Sequence, residues 1–278
     1  MVDQPTVRKL WRQLEPAHAF IYFAPEAAES YAQLGIPPEA GYFASRSAAM
    51  GPVSPEVVIA TFFNFKPDLV RSALPAVWDI TTPEAVLSAR LDAADRALRR
   101  MLGDMVDHPD LAAAAELAHT AALGCEVWGR PICAAHAALP WPTEPHLELF
   151  HAVTILREHR GDAHVAALTL AGYDPIEALL THLAGGEVAL PDTLLQATRG
   201  WTDDEWADGH EQLKRRGHFE DTEDRVLTEL GLEVRDQVEA ATDRAAQRPW
   251  SALTEEEAGR LLDISRPFTK VVAKAMFG

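Results

Sequence analysis

The densest group of residues able to do chemistry lies in Phe150-His151-Ala152-Val153-Thr154-Ile155-Leu156-Arg157-Glu158-His159-Arg160-Gly161-Asp162-Ala163-His164-Val165-Ala166-Ala167-Leu168. At helical spacing His151, Glu158 and Asp162 share a face, His159 joins Asp162 three residues on, and Arg160 and His164 stand four apart on another face. A histidine beside a carboxylate is a base tuned near neutral pH and held in one tautomer. His159 or His164 is then the candidate base and Asp162 its orienter, for proton transfer, cyclisation or hydrolysis. The competing reading is an ion-paired contact, with Glu158 and Asp162 holding Arg157 and Arg160. The spacing is not H-E-x-x-H or another zinc pattern, so no metal ligands are assigned. Gly161, which costs a helix about 1 kcal/mol relative to Ala, marks a kink or a close approach.

A second group is aromatic: His18, Tyr22, Phe23, Tyr31, Tyr42, Phe43, Phe62, Phe63 and Phe65. Most read as core, but polar-tipped Tyr22, Tyr42, Arg46 and Asn64 need partners if buried. His18, Tyr22, Phe23, Tyr42, Arg46 and Asn64, with His151, Glu158 and Arg160, form the candidate lining of a pocket for a flat organic molecule. His119 and His136 are weaker candidates, His136 most simply a packed helical histidine.

These residues must be carried by helices. Val/Ile/Thr alternation is convincing only at Arg225–Leu227, whereas Ala, Leu, Glu and Arg recur at helical spacing elsewhere. Gly35-Ile36-Pro37-Pro38, Gly51-Pro52, Pro140 to Pro145, Gly185-Gly186 and Gly200 punctuate the pattern. Ser54-Pro55 and Thr82-Pro83 read as a capping hydroxyl followed by Pro at the first helical position, and Thr202 to Glu205 as a capping box. One helix is expected over Pro67–Trp78 and another from about Asp203 to Arg216. The fold class is all-α, mainly helical, with one small β-hairpin.

The helical pattern is written twice. Leu14-Glu15-Pro16-Ala17-His18-Ala19 parallels Leu147-Glu148-Leu149-Phe150-His151-Ala152, and Leu34 to Pro38 parallels Ala171 to Pro175. Asp92-Ala93-Ala94-Asp95-Arg96 parallels Glu239-Ala240-Ala241-Thr242-Asp243-Arg244, with order kept throughout. A duplication follows, with repeats 1–139 and 140–278 joined near Pro140-Trp141-Pro142-Thr143-Glu144-Pro145.

In the second repeat a charged helix ends in Lys214-Arg215-Arg216-Gly217, a polar turn spans His218 to Asp224, and Leu227-Thr228-Glu229-Leu230-Gly231 opens a long helix. This succession resembles the C-terminal half of a MarR-type winged-helix domain, the hairpin being the wing and the preceding helix the one that reads DNA. The resemblance implies a tandem, pseudo-dimeric MarR-like winged-helix architecture, with a degraded lobe in the first repeat. Gly41-Tyr42-Phe43-Ala44-Ser45-Arg46, Asn64-Phe65-Lys66-Pro67, Ala134 to Pro142 and His159 to Leu168 also resemble a large actinobacterial family of helix-turn-helix-containing proteins. That resemblance implies a winged-helix fold and settles no activity.

Charge then bears on partners. The 278 residues carry 25 Lys+Arg against 42 Asp+Glu, a formal net charge of −17. Over Trp201–Arg225 nine acids face four bases, a net −5 on the elements that would meet phosphate. Nucleic acid is therefore disfavoured. Two cysteines make no disulfide framework, the N-terminus is not a signal peptide, and no apolar run approaches a membrane span. The expectation is a cytoplasmic protein, free of membrane, alone or as a homodimer, that binds a small organic ligand on a repurposed winged-helix scaffold, with or without catalysis. The alternatives are a MarR-like ligand-responsive transcription regulator and a haem or metal binder; the sequence names no cofactor.

Overall fold

The computed structural model describes residues 2–186 and 191–277 of the chain. The first half carries α1 (Gln4–Leu14), α2 (Pro16–Ala19), α3 (Pro25–Gln33), α4 (Pro38–Ser47), α5 (Pro55–Phe62), α6 (Pro67–Ala73), α7 (Val77–Ile80), α8 (Pro83–Leu102), α9 (Pro109–Leu123) and α10 (Pro131–Ala137). The second half carries α11 (Pro145–Leu170), α12 (Pro175–Ala184), α13 (Asp192–Arg199), α14 (Asp203–Arg215), α15 (Glu229–Ala246) and α16 (Glu255–Phe277). Among the described residues there is no strand, and the protein is all-α.

Proline at the first helical position starts helix after helix, because its ring pre-sets φ and its missing N–H would have no partner there. Thr82 Oγ1 accepts from the Ala85 N–H at 3.2 Å, and Thr202 with Glu205 closes a reciprocal capping box, both as the sequence leads one to expect. Ser54 differs: its side chain makes no capping bond, and Pro55 alone marks that start. The helix expected over Pro67–Trp78 is broken into α6 and α7. Pro75 interrupts it, since it has no N–H to continue the ladder and disfavours the helical conformation at Leu74.

The chain divides into two compact units. The first comprises Met1–Val53, Ala73–Ala163 and Asp243–Gly278. Its core is built by α16 against α1 and α9, and by α3 against α8. Fully buried Ala114, Ala115, Ala118 and Ala121 keep the α9 surface flat enough for that approach.

The second unit comprises Ser54–Ser72 and His164–Thr242. Tyr173, Ile176, Leu180, Leu195, Trp206, Leu213, Phe219 and Val238 form its core, drawn from α12 to α15 and the connections between them. Gly200, at φ 80°, takes the left-handed conformation that ends α13 and turns the chain into α14. The hairpin expected after α14 reduces to a single antiparallel bridge, Phe219 with Leu227. Thr228 Oγ1 then accepts from the Gly231 N–H at 3.0 Å while donating to the Gly217 carbonyl at 2.6 Å. A Cβ on Gly231 would clash with the His218 carbonyl oxygen, so the L-T-x-x-G succession is a capping threonine plus a glycine that admits backbone.

Candidate functional site

The candidate site lies in the first unit. Helix α11 carries Glu158 into its interior, where the carboxylate is 0% exposed. Arg46 on α4 grips both oxygens, Nε to Oε1 at 3.1 Å and Nη2 to Oε2 at 3.0 Å, and Arg157 Nη1 adds a bond to Oε2 at 2.9 Å. Arg46 Nη1 also donates to the Tyr42 hydroxyl at 3.1 Å. Tyr42 packs on Tyr22 with ring centroids 5.0 Å apart, and the Tyr22 hydroxyl meets His18 Nε2 at 3.2 Å. The Thr154 hydroxyl donates to the Phe150 carbonyl at 2.7 Å, so its 2.9 Å contact with His18 Nδ1 makes that nitrogen the donor. His18, Tyr22, Tyr42, Arg46 and Glu158 thus join in one buried network spanning four elements.

Electrostatics in this core oppose one another. Burial raises the Glu158 carboxyl, but the guanidiniums of Arg157 and Arg46 outweigh it and hold the group well below the usual carboxylate range. Glu15, 3.7 Å from Arg157 Nε, is raised because its burial outweighs that neighbour. Burial pushes the Tyr22 hydroxyl up to about 12 and holds His18 well below an ordinary imidazole.

Beside this network lies a group of side chains whose polar atoms lack protein partners. Arg90 on α8 is 5% exposed, and its Nε and Nη2 make no hydrogen bond with the described residues. Its guanidinium lies over the Phe150 ring at 4.8 Å. Its charge bears on His18, Tyr22, Tyr31, His136 and His151. Among the described residues neither ring nitrogen of His136 has a hydrogen-bond partner, nor does His151 Nε2. Burial first, and Arg90 second, lower His136 to about 3 and His151 to about 4, so both rings are neutral. His151 stands edge-on to Trp141, with centroids 4.7 Å apart.

The remaining expected site residues lie elsewhere. Asp162 Oδ2 accepts from the Cys133 N–H at 3.0 Å, serving as a cap from outside for the first turn of α10; burial nevertheless raises it to about 6. His159 Nε2 is without a hydrogen-bond partner, and burial lowers that ring to about 3. The two do not form a hydrogen-bonded pair. Arg160 donates to Asp243 at 2.8 Å and lies over Trp11 at 4.2 Å, while Phe23 is 57% exposed. Gly161 leaves α11 unbroken, and a Cβ there would meet Glu158 Oε2 at 3.5 Å, an ordinary contact.

Asn64 and His164 belong to the second unit. The Asn64 carbonyl accepts from Trp201 Nε1 at 3.2 Å. His164 Nε2 meets His182 Nε2 at 2.9 Å, and Nδ1 meets the Thr242 hydroxyl at 3.0 Å. The sequence passed over Arg90, yet it occupies the apolar stripe of α8 defined by Val86, Ala93, Ala94 and Ala97. A charge on such a stripe is the signal that finds it.

The second unit also holds α13, the Gly200 turn and α14. On α14, Asp203, Asp204, Asp208 and Glu211 are exposed. The cations nearby are largely engaged with carboxylates: Lys214 with Glu211 at 2.9 Å, Arg216 with Glu177 at 2.7 Å, Lys66 with Glu205 at 2.7 Å, and Arg225 with Asp192.

Helices α13 and α14, joined by this tight turn, are arranged as helix, turn and helix. The chain belongs to a helix-turn-helix family, whose model matches residues 7–277. No curated protein and no solved structure matches it. No helix among the described residues is long and apolar enough to cross a membrane.

Proposed function

We propose that the first unit binds a small organic anion, a carboxylate on an apolar or aromatic body, and that the helix-turn-helix serves as scaffold and does not read DNA. The observation that carries this reading is Arg90, a nine-tenths-buried guanidinium with two unpartnered nitrogens and no carboxylate on it. A buried cation without a counter-charge is strongly unfavourable, so a site built this way favours an anion that completes it. Neutral His136 and His151 supply polar atoms for the rest of the ligand, and Phe150 and Trp141 supply apolar surface. Arg46 and Glu158 brace the site from the neighbouring network. The reading is one of binding: His159 and Asp162 have separate surroundings, and no proton-transfer step is assigned to them.

The acidic, internally paired surface of α14 supports the second half of the proposal, because phosphate binding draws on cations available to displace counterions. We read the two halves of the chain as repeats joined in a pseudo-dimer. Each half of the chain contributes to both units, the first sending Ser54–Ser72 into the second unit and the second sending residues 140–163 and 243–278 into the first.

A thermal-shift series over straight-chain and aromatic monocarboxylates, with the matching amides as neutral controls, tests the site. At least one carboxylate raises the melting temperature of the wild type, its amide does not, and Arg90→Met abolishes the shift. No shift with any carboxylate, or a shift that survives in Arg90→Met, refutes the reading. Family membership favours a second reading, a ligand-responsive transcription regulator. Fluorescence anisotropy on the protein's own upstream DNA at low salt decides: tight, sequence-selective binding establishes it and removes the scaffold reading.

A further inference from the structure

The second unit brings together three residues that no sequence spacing connects: His164 on α11, His182 on α12 and Glu239 on α15. One ring nitrogen of each histidine and one carboxylate oxygen of Glu239 lie within 4.8 Å of one another. Glu239 is buried, and both histidines are partly exposed.

Hydrogen bonding around His164 prepares one nitrogen as a ligand. The Thr242 hydroxyl donates its single proton to the Val238 carbonyl, one turn back on α15, at 2.8 Å. Toward His164 Nδ1, at 3.0 Å, it can only accept, so Nδ1 carries the ring proton and Nε2 keeps its lone pair. That lone pair faces His182 Nε2 at 2.9 Å, and the Glu239 carboxylate is the acid at hand, with Oε1 4.0 Å from His164 Nδ1. A metal-ligating histidine usually donates its second ring N–H to an oxygen acceptor that fixes its tautomer and orientation, the role the Thr242 hydroxyl fills here. Two imidazoles and one carboxylate are the donor set of a zinc-class divalent ion, with a coordination position left for water or another ligand. Arg235 Nη2 stands 3.8 Å from Glu239 Oε1, a counter-charge that tempers affinity for the ion.

We propose that His164, His182 and Glu239 form a binding site for a divalent transition-metal ion of the zinc class, with Thr242 as the residue that positions His164. The site is independent of the anion site in the first unit, and each stands or falls on its own variants.

The test uses the full chain, stripped with a chelator, dialysed against Zn(II) and assayed for bound metal, with Co(II) as a spectroscopic probe. One equivalent of zinc is retained, and Co(II) gives the visible absorption of nitrogen and oxygen ligation. The His164→Ala/His182→Ala variant and Glu239→Gln lose both signals while keeping the wild-type helical circular dichroism. Thr242→Val weakens zinc affinity by about 10- to 100-fold, and Thr242→Ser restores it. Substoichiometric zinc in the wild type overturns the proposal, as does retention unchanged in the double variant. If the double variant does not fold, His182→Gln replaces it, with the same two outcomes.

Discussion

Two buried arginines in the first unit should respond in opposite directions to one substitution. Arg90 and Arg46 are 5% and 7% exposed, so Arg→Met removes a buried guanidinium at either position while keeping most of the chain length. At Arg90 the charge leaves no partner behind. Two unsatisfied buried donors cost about 1–3 kcal/mol each. The cation–π contact with Phe150 offsets about 1–2 kcal/mol of that. Arg90→Met should therefore stabilise the ligand-free protein by about 2 kcal/mol. For 278 residues at ~2.1 cal/mol/K each, the unfolding entropy is about 0.6 kcal/mol/K, so the melting temperature rises by about 3–4 °C. At Arg46 the same change strips two hydrogen bonds from a fully buried carboxylate that retains only Arg157. Breaking such a pair costs about 3–5 kcal/mol, a fall of about 5–8 °C. Scanning calorimetry of both variants at pH 7.5 and matched ionic strength reads the difference. A fall at Arg90 as large as that at Arg46 would refute the reasoning, because it would make Arg90 a structural member of the core and not an anion receptor.

Acid should destabilise the fold early. His136, His151 and His159 are held near 3, 4 and 3, and His18 well below an ordinary imidazole, so the contribution of all four is complete above about pH 6.5 and is lost as pH falls from there. At pH 5.5 each forfeits a little over 1 kcal/mol; Asp162, raised to about 6, and Glu15, raised by burial, act in the opposite sense. Urea unfolding at pH 7.5 and 5.5 should differ by about 4 kcal/mol, and equal midpoints would show that these rings are not buried neutral. Two glycine substitutions should also separate. Gly231→Ala places a Cβ against the His218 carbonyl and should lower stability by about 2 kcal/mol or more, whereas Gly161→Ala meets only ordinary contacts within α11 and should raise it by about 1 kcal/mol. Thermal melts of both variants check the signs, and a stabilising Gly231→Ala would show that the α15 cap does not press Gly231 against the His218 carbonyl.

Helix class and many helix starts were legible because proline, capping hydroxyls and helical periodicity act locally. The break at Pro75 was legible in principle, since the ring that opens α6 at Pro67 costs about 3 kcal/mol in a helix interior. Five of the expected pocket residues, His18, Tyr22, Tyr42, Arg46 and Glu158, do meet, because polar tips on apolar stripes must find each other once buried. Asp162 shows the limit of helix-face reasoning: three residues from His159 it has the right spacing for a pair, yet its carboxylate is taken by a backbone N–H of α10, 29 residues away. The meeting of His164 with His182 and Glu239 was equally hidden, since three separate helices supply it and no spacing encodes it.

The charged interior itself argues for function over stability. Glu15, Arg157, Glu158 and Arg46 form an alternating chain of charges, and Arg90 with two neutral histidines lies alongside it. Well-packed apolar residues of similar volume would hold these helices together at least as firmly, because desolvating each ion consumes most of what its partner returns. The paired charges can be understood as a brace, since removing one strands the other. Arg90 cannot, for no partner depends on it. A group whose removal should strengthen the fold is, on the proposed reading, kept for what it binds, and so Arg90, more than the better-connected Arg46 or Glu158, carries that proposal.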